Sequence, residues 1–255
     1  MAKPLAVELD FTVLYEDDDV LVVDKPAPLL THPTEINDQY SLWTGLRELL
    51  VYELACGGQV SLVNRLDRET SGVILVAKHY EAARALGKAM QERLLHKSYL
   101  AVVQGCPAWQ RAGCNEPITR LLDVGESEVR VRQCCHPSGK ASSTDFSVLQ
   151  RCRERKTLPD MALLRCQAHT GRMHQIRVHL EHLGYPLVGD KIYGGDPTCY
   201  LRFMKEGWSP ELAQQLIIAR HALHASEIQF PHPRSGETMQ VHAPLPPSLQ
   251  YLLKP

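Results

Sequence analysis

Apolar residues along the chain fall into short runs typical of buried strands and into three-to-four-residue spacings typical of helices. Two apolar runs around an acidic turn in "FTVLYEDDDVLVVDKP" (11–26) predict a β-hairpin that ends at Lys25-Pro26. Further strands are predicted at "VILVA" (73–77), "KSYLAVVQG" (97–105) and "MALLRCQA" (161–168). Helices are predicted over 39–54, 80–95 and 170–184, the last with Thr170 near its start and Gly184 at its end.

The region 106–145 is irregular, and we expect a hairpin between "EVRVRQC" and "STDFSVLQRC" (128–134 and 143–152). Strands and helices are interspersed without a repeated strand–helix–strand order. The pattern therefore predicts an α+β fold, with a mixed, mainly antiparallel central sheet flanked by helices.

The 255 residues with 44% hydrophobic content are enough for a sizeable core. No apolar run approaches the roughly 20 residues that span a bilayer, and the start lacks the apolar segment of a secretory signal. We therefore expect a cytoplasmic protein with no membrane partner. The eight cysteines show no C-x₂-C spacing, which favours reduced, structural thiols over a zinc ribbon or a disulfide framework.

The net charge of −1 conceals an asymmetry along the chain. Residues 1–60 contain 3 Lys/Arg against 11 Asp/Glu, whereas residues 130–179 contain 10 against 3. A basic face of this kind suits a polyanion such as nucleic acid. Two ordinary solvated surfaces would give the same counts.

Asp67 lies in a charged loop, "NRLDRETSG", directly before the predicted strand at 73–77. The hydroxyls of Thr70 and Ser71 and the flexible Gly72 can fix a turn that leaves the carboxylate at the mouth of the strand, where it could act as nucleophile or base. The sequence is not the Asp-Thr-Gly of aspartic proteases. A glycosidase would need a second, opposing carboxylate, and Glu69 is too near in sequence. Taken alone, Asp67 fits a structural turn better than a catalytic site.

Arg172 and Arg177 belong to the predicted helix at 170–184. Its apolar stripe includes Ile176 and Leu180, and Arg177 lies at the edge of this stripe, so we expect Arg177 to point inward. A semi-buried arginine needs an anionic partner. Asp67 is one candidate, and a structural salt bridge with another carboxylate is the alternative.

His174, His179 and His182 lie on the same segment, but only the last two have helical spacing and no carboxylate completes a known zinc motif. We expect surface histidines or partners of phosphate, and no metal site. No glycine-rich phosphate loop is present.

Several separated stretches resemble the RluA-type family of RNA pseudouridine synthases. "NRLDRETSGVILVAK" resembles the family's H-R-L-D-x-x-T-S-G motif, and "KSYLAVVQG" resembles K-x-Y-x-A-x-V-x-G. "TGRMHQIRVHLEHLGYPLVGDKIYG" resembles T-G-R-x-H-Q-I-R-x-H-L with its G-D-x-x-Y-G continuation. "VLVVDKPAPLLTHP" and "LHASEIQFPHP" extend the match to about residues 11–245.

The resemblance implies a catalytic role for three residues. Asp67 matches the essential aspartate, Tyr99 the tyrosine that stacks on the target pyrimidine and assists proton transfer, and Arg177 the arginine that pairs with the aspartate. It also implies RNA contacts by residues of the same motifs: Asn64, Arg65, Arg68, Thr70, Arg172, His174 and Gln175.

Two positions depart from the family pattern. Asn64 stands where His is usual, and Pro28 stands where K-P-x-G is common, so Pro fixes a φ that Gly would leave free. The first puts one RNA contact in doubt, and the second puts the shape of one loop in doubt.

The resemblance thus implies an isomerase that converts a uridine in tRNA or rRNA to pseudouridine after flipping the nucleotide from the RNA. We expect no cofactor, a monomer, an N-terminal tail at 1–10, and a single catalytic domain at 11–255 without a separate S4 domain. The rival hypotheses are an RNA-binding protein of the same fold without turnover and a glycosidase that releases the base.

Overall fold

The structure, a computed structural model, describes residues 10–33 and 41–254. The strands are β1 Thr12–Glu16, β2 Val20–Lys25, β3 Ser61–Leu62, β4 Ser71–Ala77, β5 His96–Gln104, β6 Arg111–Cys114, β7 Ile118–Arg120, β8 Gln133–Cys135, β9 Thr144–Cys152, β10 Met161–Ala168, β11 Leu223–Pro231 and β12 Thr238–His242. The helices are α1 Leu42–Leu49, α2 Val51–Ala55, α3 Tyr80–Gln91, α4 Gln175–His182, α5 Thr198–Glu206, α6 Pro210–Leu216 and α7 Pro247–Tyr251.

The chain divides into two compact units. The first unit contains Tyr99–Leu223 and residues 245–254, and the second contains the described residues up to 98 together with His224–Pro244. The expectation of one catalytic domain over 11–255 stays a prediction. Within the described ranges, no helix is both long enough and apolar enough to cross a membrane.

The second unit is organised around β4. Its strand order is β1-β2-β4-β11, with β3 also on β4 and β12 on β11. Successive side chains of a strand point to opposite faces. Val73, Leu75 and Ala77 accordingly pack in a core that includes residues of α3, whereas Ile74 and Val76 pack in a core that includes residues of α1. A continuous apolar run is needed because both faces of β4 are covered.

In the first unit the strand order is β5-β10-β9-β6, and β7 pairs separately with β8. β9 is antiparallel to both β10 and β6. α4 joins the core through Val178, which packs with Ile118 of β7 and with Tyr193. The strands of both units are mainly antiparallel, with β4–β11 as a parallel pair. The predicted α+β class is confirmed.

Most predicted elements lie where the sequence placed them, including the hairpin β1–β2 and the strands β4, β5 and β10. The helix predicted over 39–54 is divided at Leu50 into α1 and α2, and its first two residues lie outside the described ranges. α3 ends at Gln91, earlier than predicted, and Arg93 has a left-handed φ of 60°.

Two predictions were wrong. The strand β9 pairs with β10 and β6, not with the segment 128–134, of which only the end lies in β8. The helix predicted from Thr170 begins five residues later, at Gln175, because residues 169–174 form a loop in which His174 has a left-handed φ of 56°.

Candidate active site

The loop at 64–70 is attached to β4 by the side chain of Asn64. Its Nδ2 donates to the carbonyl oxygen of Val73 at 3.1 Å, and its Oδ1 accepts from the N–H of Leu75 at 2.8 Å. The amide thus makes the hydrogen bonds to β4 that the backbone of a neighbouring strand would make, and it fixes where the loop begins. Asn64 is 7% exposed, so the structure gives it an internal role, and the RNA contact predicted for it stays a prediction.

The turn that carries Asp67 is closed by main-chain bonds. The N–H of Thr70 donates to the carbonyl of Asp67 at 3.1 Å, and the N–H of Leu29 donates to the carbonyl of Arg68 at 3.0 Å. The hydroxyl of Thr31 accepts from the N–H of Leu66 at 3.3 Å and donates to the carbonyl of the same residue at 2.7 Å. The backbone on both sides of Asp67 is therefore held in place.

A buried lysine joins this loop to the end of β2. Lys25 is fully buried, and its Nζ donates to the carbonyls of Leu29 at 2.8 Å, Pro26 at 3.0 Å and Arg68 at 3.3 Å. A buried ammonium group is costly without such partners. These bonds also fix the segment in which Pro28 follows a cis peptide bond.

Gly72 allows β4 to start immediately after the loop. Its φ is +115°, and a Cβ at this position would lie 2.1 Å from the carbonyl oxygen of Ala225. Any other residue would therefore push β4 away from β11. A side-chain hydrogen bond joins the same two strands at the preceding residues, where Ser71 Oγ lies 2.9 Å from Nδ1 of the buried His224.

The side chains of the loop divide into exposed and buried groups. Arg65 and Arg68 are exposed, and Asp67 is partly buried. Thr70 is only 2% exposed. Burial lowers the pKa of His32, and the positive charge of Arg65 lowers it further. Exposed arginines beside a partly buried carboxylate suit a polyanionic substrate, whereas Thr70 belongs to the support of the loop.

The loop before α4 is organised by Gln175, which is 4% exposed. Its Oε1 accepts from the hydroxyl of Thr170 at 2.7 Å and from the N–H of Arg172 at 3.0 Å. Its Nε2 donates to the carbonyl of Ser143 and to the hydroxyl of Thr144, both at 2.9 Å. These four bonds occupy the amide within the chain, and they leave the exposed Arg172 on the outside of the loop.

Arg177 is the inward-facing arginine, as predicted, and it is 5% exposed. Its Nε donates to Oδ2 of Asp190 at 2.7 Å and its Nη2 donates to Oδ1 at 3.0 Å. Burial alone would raise the pKa of Asp190. The charge and hydrogen bonds of Arg177, with the charge of His221 and the N–H of Ile192, instead hold this pKa well below its usual range. The pair is therefore ionised at neutral pH.

Tyr193 connects this pair to His174. The guanidinium of Arg177 lies 4.9 Å from the centre of the tyrosine ring. The hydroxyl of Tyr193 accepts from the N–H of Gln133 at 2.9 Å and is hydrogen-bonded to Nδ1 of His174, also at 2.9 Å. Burial raises the pKa of Tyr193, so its hydroxyl stays neutral.

Asp190 and Tyr193 were missed as site residues. Both lie in the G-D-x-x-Y-G continuation that was part of the resemblance, so the motif was the signal that could have found them. The predicted pairing of Arg177 with Asp67 stays a prediction, since Asp67 belongs to the second unit and Arg177 to the first. Tyr99, on β5 in the first unit, is 9% exposed.

The histidines of α4 have different environments. His182 is exposed as expected, but His179 is fully buried, so the expectation of a surface residue was wrong. His179 is hydrogen-bonded through Nδ1 to Thr144 Oγ1 at 2.9 Å and through Nε2 to the carbonyl of Glu116 at 3.0 Å. These bonds hold α4 against β9 and the segment after β6.

Within the described ranges, one group of side chains has the spacing of metal ligands: Asp17, Asp19 and His232. Asp17 already accepts a hydrogen bond from the hydroxyl of Tyr15, and Asp19 accepts one from the guanidinium of Arg234. The positive charge beside these two carboxylates is therefore supplied by an arginine. The eight cysteines are free thiols.

Comparison with known proteins identifies the family. The family model described as RNA pseudouridylate synthase matches residues 19–182. The ribosomal large subunit pseudouridine synthase D of Xanthomonas campestris pv. campestris is 37% identical over 248 residues, which cover 96% of this chain and 69% of the relative. The protein of the same name from Escherichia coli O6:H1 is 34% identical over 262 residues, covering 99% and 72%.

A solved structure shows the same fold. The structure entitled "Human RNA Pseudouridylate Synthase Domain Containing 1" has a TM-score of 0.73 and 26% identity, and the match covers 98% of this chain and 90% of the human one. The resemblance inferred from the separated sequence motifs is thereby confirmed. The chain belongs to the RNA pseudouridylate synthase family.

Proposed function

We propose that this RNA pseudouridine synthase converts a uridine of large-subunit ribosomal RNA to pseudouridine, with Asp67 as the essential carboxylate. The observation that carries the proposal is the fixed turn around Asp67, in which a partly buried carboxylate lies next to two exposed arginines. The names of the relatives from Xanthomonas and Escherichia support ribosomal RNA over tRNA as the substrate.

The proposed reaction is an isomerisation that needs no redox step. The bond between C1′ of the ribose and N1 of uracil breaks, the uracil rotates, and C1′ forms a bond with C5. The proton leaves C5 and N1 gains one, so that atoms and electrons balance. A base within a duplex is out of reach, so the nucleotide has to leave the stack before reaction.

In this mechanism Asp67 acts in its ionised form, either as a nucleophile or as the base that removes a proton from the sugar. Tyr99 supplies a ring against which the extruded uracil stacks and a hydroxyl that assists proton transfer. Arg177 has the role that the resemblance implies, which is to supply the positive charge that keeps the carboxylate ionised. Asp190 supports this arrangement by fixing the guanidinium of Arg177 through two hydrogen bonds.

The proposal is tested with protein-free, unmodified large-subunit rRNA of Escherichia coli that carries tritium at C5 of uridine. Because the C5 proton leaves during the reaction, turnover releases tritium into water. We expect wild-type protein to release tritium and the Asp67→Asn variant to release none. Asp18→Asn is the matched control, since it makes the same change at an exposed aspartate of the β1–β2 turn.

Product analysis distinguishes the rival functions. A synthase leaves pseudouridine in an intact chain, a glycosidase leaves free uracil and an abasic site, and an RNA-binding protein leaves the RNA unchanged. Tritium release by Asp67→Asn at the rate of Asp18→Asn would refute the assigned role of Asp67. Mapping pseudouridine in the rRNA of cells with and without the gene would then identify the modified position.

A further inference from the structure

The basic stretch at 130–179 does not present all its arginines to solvent. Arg151 donates to the carbonyl oxygens of Pro107 at 2.9 Å and Trp109 at 2.8 Å. Arg155 donates to the carbonyl of Leu252 at 2.6 Å and also to that of Pro159. These arginines attach the end of β9 and the loop between β9 and β10 to other segments of the first unit. The charges of these two arginines therefore serve the fold, and a surface for a polyanion has to be formed by other basic residues.

The solvent-facing side of β6, β9 and β10 offers such a surface. Arg111 on β6 is directly opposite Ser147 on β9, and Ser147 is directly opposite Arg165 on β10. Residues paired in this way point to the same face of a sheet. Both arginines are exposed and Ser147 is partly exposed, whereas Phe146 and Val148 on the other face are buried. The three polar side chains therefore form one row across the outer face.

Neighbouring strands are about 4.8 Å apart, so the Cα atoms of Arg111 and Arg165 are separated by roughly 9.6 Å, with Ser147 midway. Guanidinium groups on either side of a hydroxyl at this separation can contact one phosphate or two adjacent phosphates of a single strand. Arginine is well suited to this task because its planar fork donates two hydrogen bonds to a phosphate.

The charges of this row are not compensated within the structure. Across the ranges 10–33 and 41–254, neither Arg111 nor Arg165 has a salt bridge or a side-chain hydrogen bond to another described residue. The next row on the same face contains Gly113, Asp145 and Gln167. Asp145 is the acidic member of that row, and its Oδ2 is 2.8 Å from Nε2 of His169. The face therefore keeps a positive charge that a polyanion could neutralise.

We propose that Arg111, Ser147 and Arg165 form a phosphate-binding row that contacts the backbone of the RNA substrate away from the turn of Asp67. The inference rests on the proposed function, which supplies RNA as the partner. Contacts of this kind provide affinity and orientation but no sequence recognition, so the row contributes to RNA binding and not to the chemical step.

The alternative explanation is protection of the sheet. β6 is the last strand of its sheet order, and charged side chains on an edge strand prevent pairing with another molecule. That role would make the arginines important for solubility but irrelevant to RNA affinity. The salt dependence of RNA binding separates the two, because each phosphate contact releases counterions from the RNA.

The test compares the double variant Arg111→Gln/Arg165→Gln with the wild type, using protein-free, unmodified large-subunit rRNA of Escherichia coli as the probe. We expect weaker binding and a plot of log K against log salt whose slope is smaller by about 1.4 to 1.8, which is two contacts at 0.7 to 0.9 each. Tritium release at saturating RNA should be unchanged while KM rises, since uniform binding energy has been removed.

Two further variants serve as controls. Arg84→Gln/Lys88→Gln removes the same charge from exposed positions of α3 and should change the slope less. Arg111→Lys/Arg165→Lys keeps the charge and should restore most of the slope, which excludes misfolding as the cause of a loss. An unchanged slope in the glutamine variant, or an equal change in the α3 variant, would overturn the phosphate row. A wild type that binds RNA without forming pseudouridine would instead refute the proposed function, and the slopes would still decide this inference.

Discussion

The ion pair between Arg177 and Asp190 allows a quantitative test of how the structure supports the candidate site. The proposed perturbation is Asp190→Asn, which keeps the size of the side chain and a carbonyl oxygen but removes its charge. Asp190 is 1% exposed and Arg177 is 5% exposed. The substitution therefore leaves a buried guanidinium without this counter-charge.

Removing one partner of a buried ion pair typically costs about 3–5 kcal/mol. The oxygen of Asn can still accept from the N–H groups of Ile192 and Tyr193, which in the wild type donate to Oδ1 of Asp190 at 2.9 and 3.1 Å. We therefore expect Asp190→Asn to lower the free energy of unfolding by about 3 kcal/mol, the low end of that range. Asp190→Ala would also remove the acceptor of these two N–H groups, at about 1–3 kcal/mol for each, and should be destabilised further.

The measurement is urea unfolding at pH 7, with Asp123→Asn as the matched control. Asp123 pairs with Arg120 at 2.6 Å, but both side chains are about half exposed, so that substitution should cost less than about 1 kcal/mol. A double-mutant cycle with Arg177→Met isolates the energy of the pair from the other contacts of each residue. If Asp190→Asn cost no more than Asp123→Asn, the pair could not be what fixes Arg177.

The pH dependence follows from the direction of the shift. Because the pKa of Asp190 is lower in the folded than in the unfolded protein, its contribution is complete above the unfolded value of about 3.9. The contribution is lost as the pH falls below that value toward the folded pKa. The stability difference between wild type and Asp190→Asn should thus be constant from pH 7 to 5 and shrink in stronger acid. A difference that vanished already at pH 6 would contradict the assigned cause.

Further predictions concern a glycine and a tyrosine. Gly72→Ala should destabilise the protein by more than about 1 kcal/mol in urea unfolding, and by more than Gly57→Ala. Both positions have positive φ, but a Cβ would meet Ala225 at 2.1 Å in the first case and nothing within 4 Å in the second. Tyr99→Phe should reduce single-turnover rates by about 10²–10⁴ with RNA binding nearly unchanged. Tyr99→Leu should additionally weaken binding of target-containing RNA by roughly 1–3 kcal/mol, and a Phe variant with the wild-type rate would exclude a role in proton transfer.

The elements that the sequence predicted correctly are those whose pattern is determined locally. The continuous apolar run of β4 matches a strand with both faces covered, and the two apolar runs around an acidic turn match the hairpin β1–β2. The start of α4 was misjudged because Thr170 is typical of a helix start, whereas here its hydroxyl donates to the side chain of Gln175. The local pattern is the same in both arrangements, and only the fold distinguishes them.

Partners distant in sequence were harder to predict. The segment 128–134 alternates like a strand, but only Val129 of its two valines is buried in a core, whereas Val131 is 40% exposed. β10, which pairs with β9, contributes three fully buried side chains: Met161, Leu164 and Cys166. The burial of Arg177 was predictable from the apolar stripe of its helix, because that pattern is local. Its pairing with Asp190 was not predictable, because no local pattern indicates which carboxylate comes to lie beside the guanidinium.

Asn64 shows how one departure from the family pattern can be tested. The sequence suggested an RNA contact at this position, whereas the structure shows an amide that binds the backbone of β4 through both its ends. Asn64→Ala would leave a buried N–H and a buried carbonyl without these bonds, at about 1–3 kcal/mol each. A neutral imidazole has one donor and one acceptor, so Asn64→His should recover part of this loss. The two roles of Asn64, support of β4 and contact with RNA, predict different outcomes. If the amide supports β4, Asn64→Ala lowers the urea midpoint and leaves the RNA affinity of the folded protein nearly unchanged. A variant with wild-type stability and reduced RNA affinity would show that the amide contacts RNA.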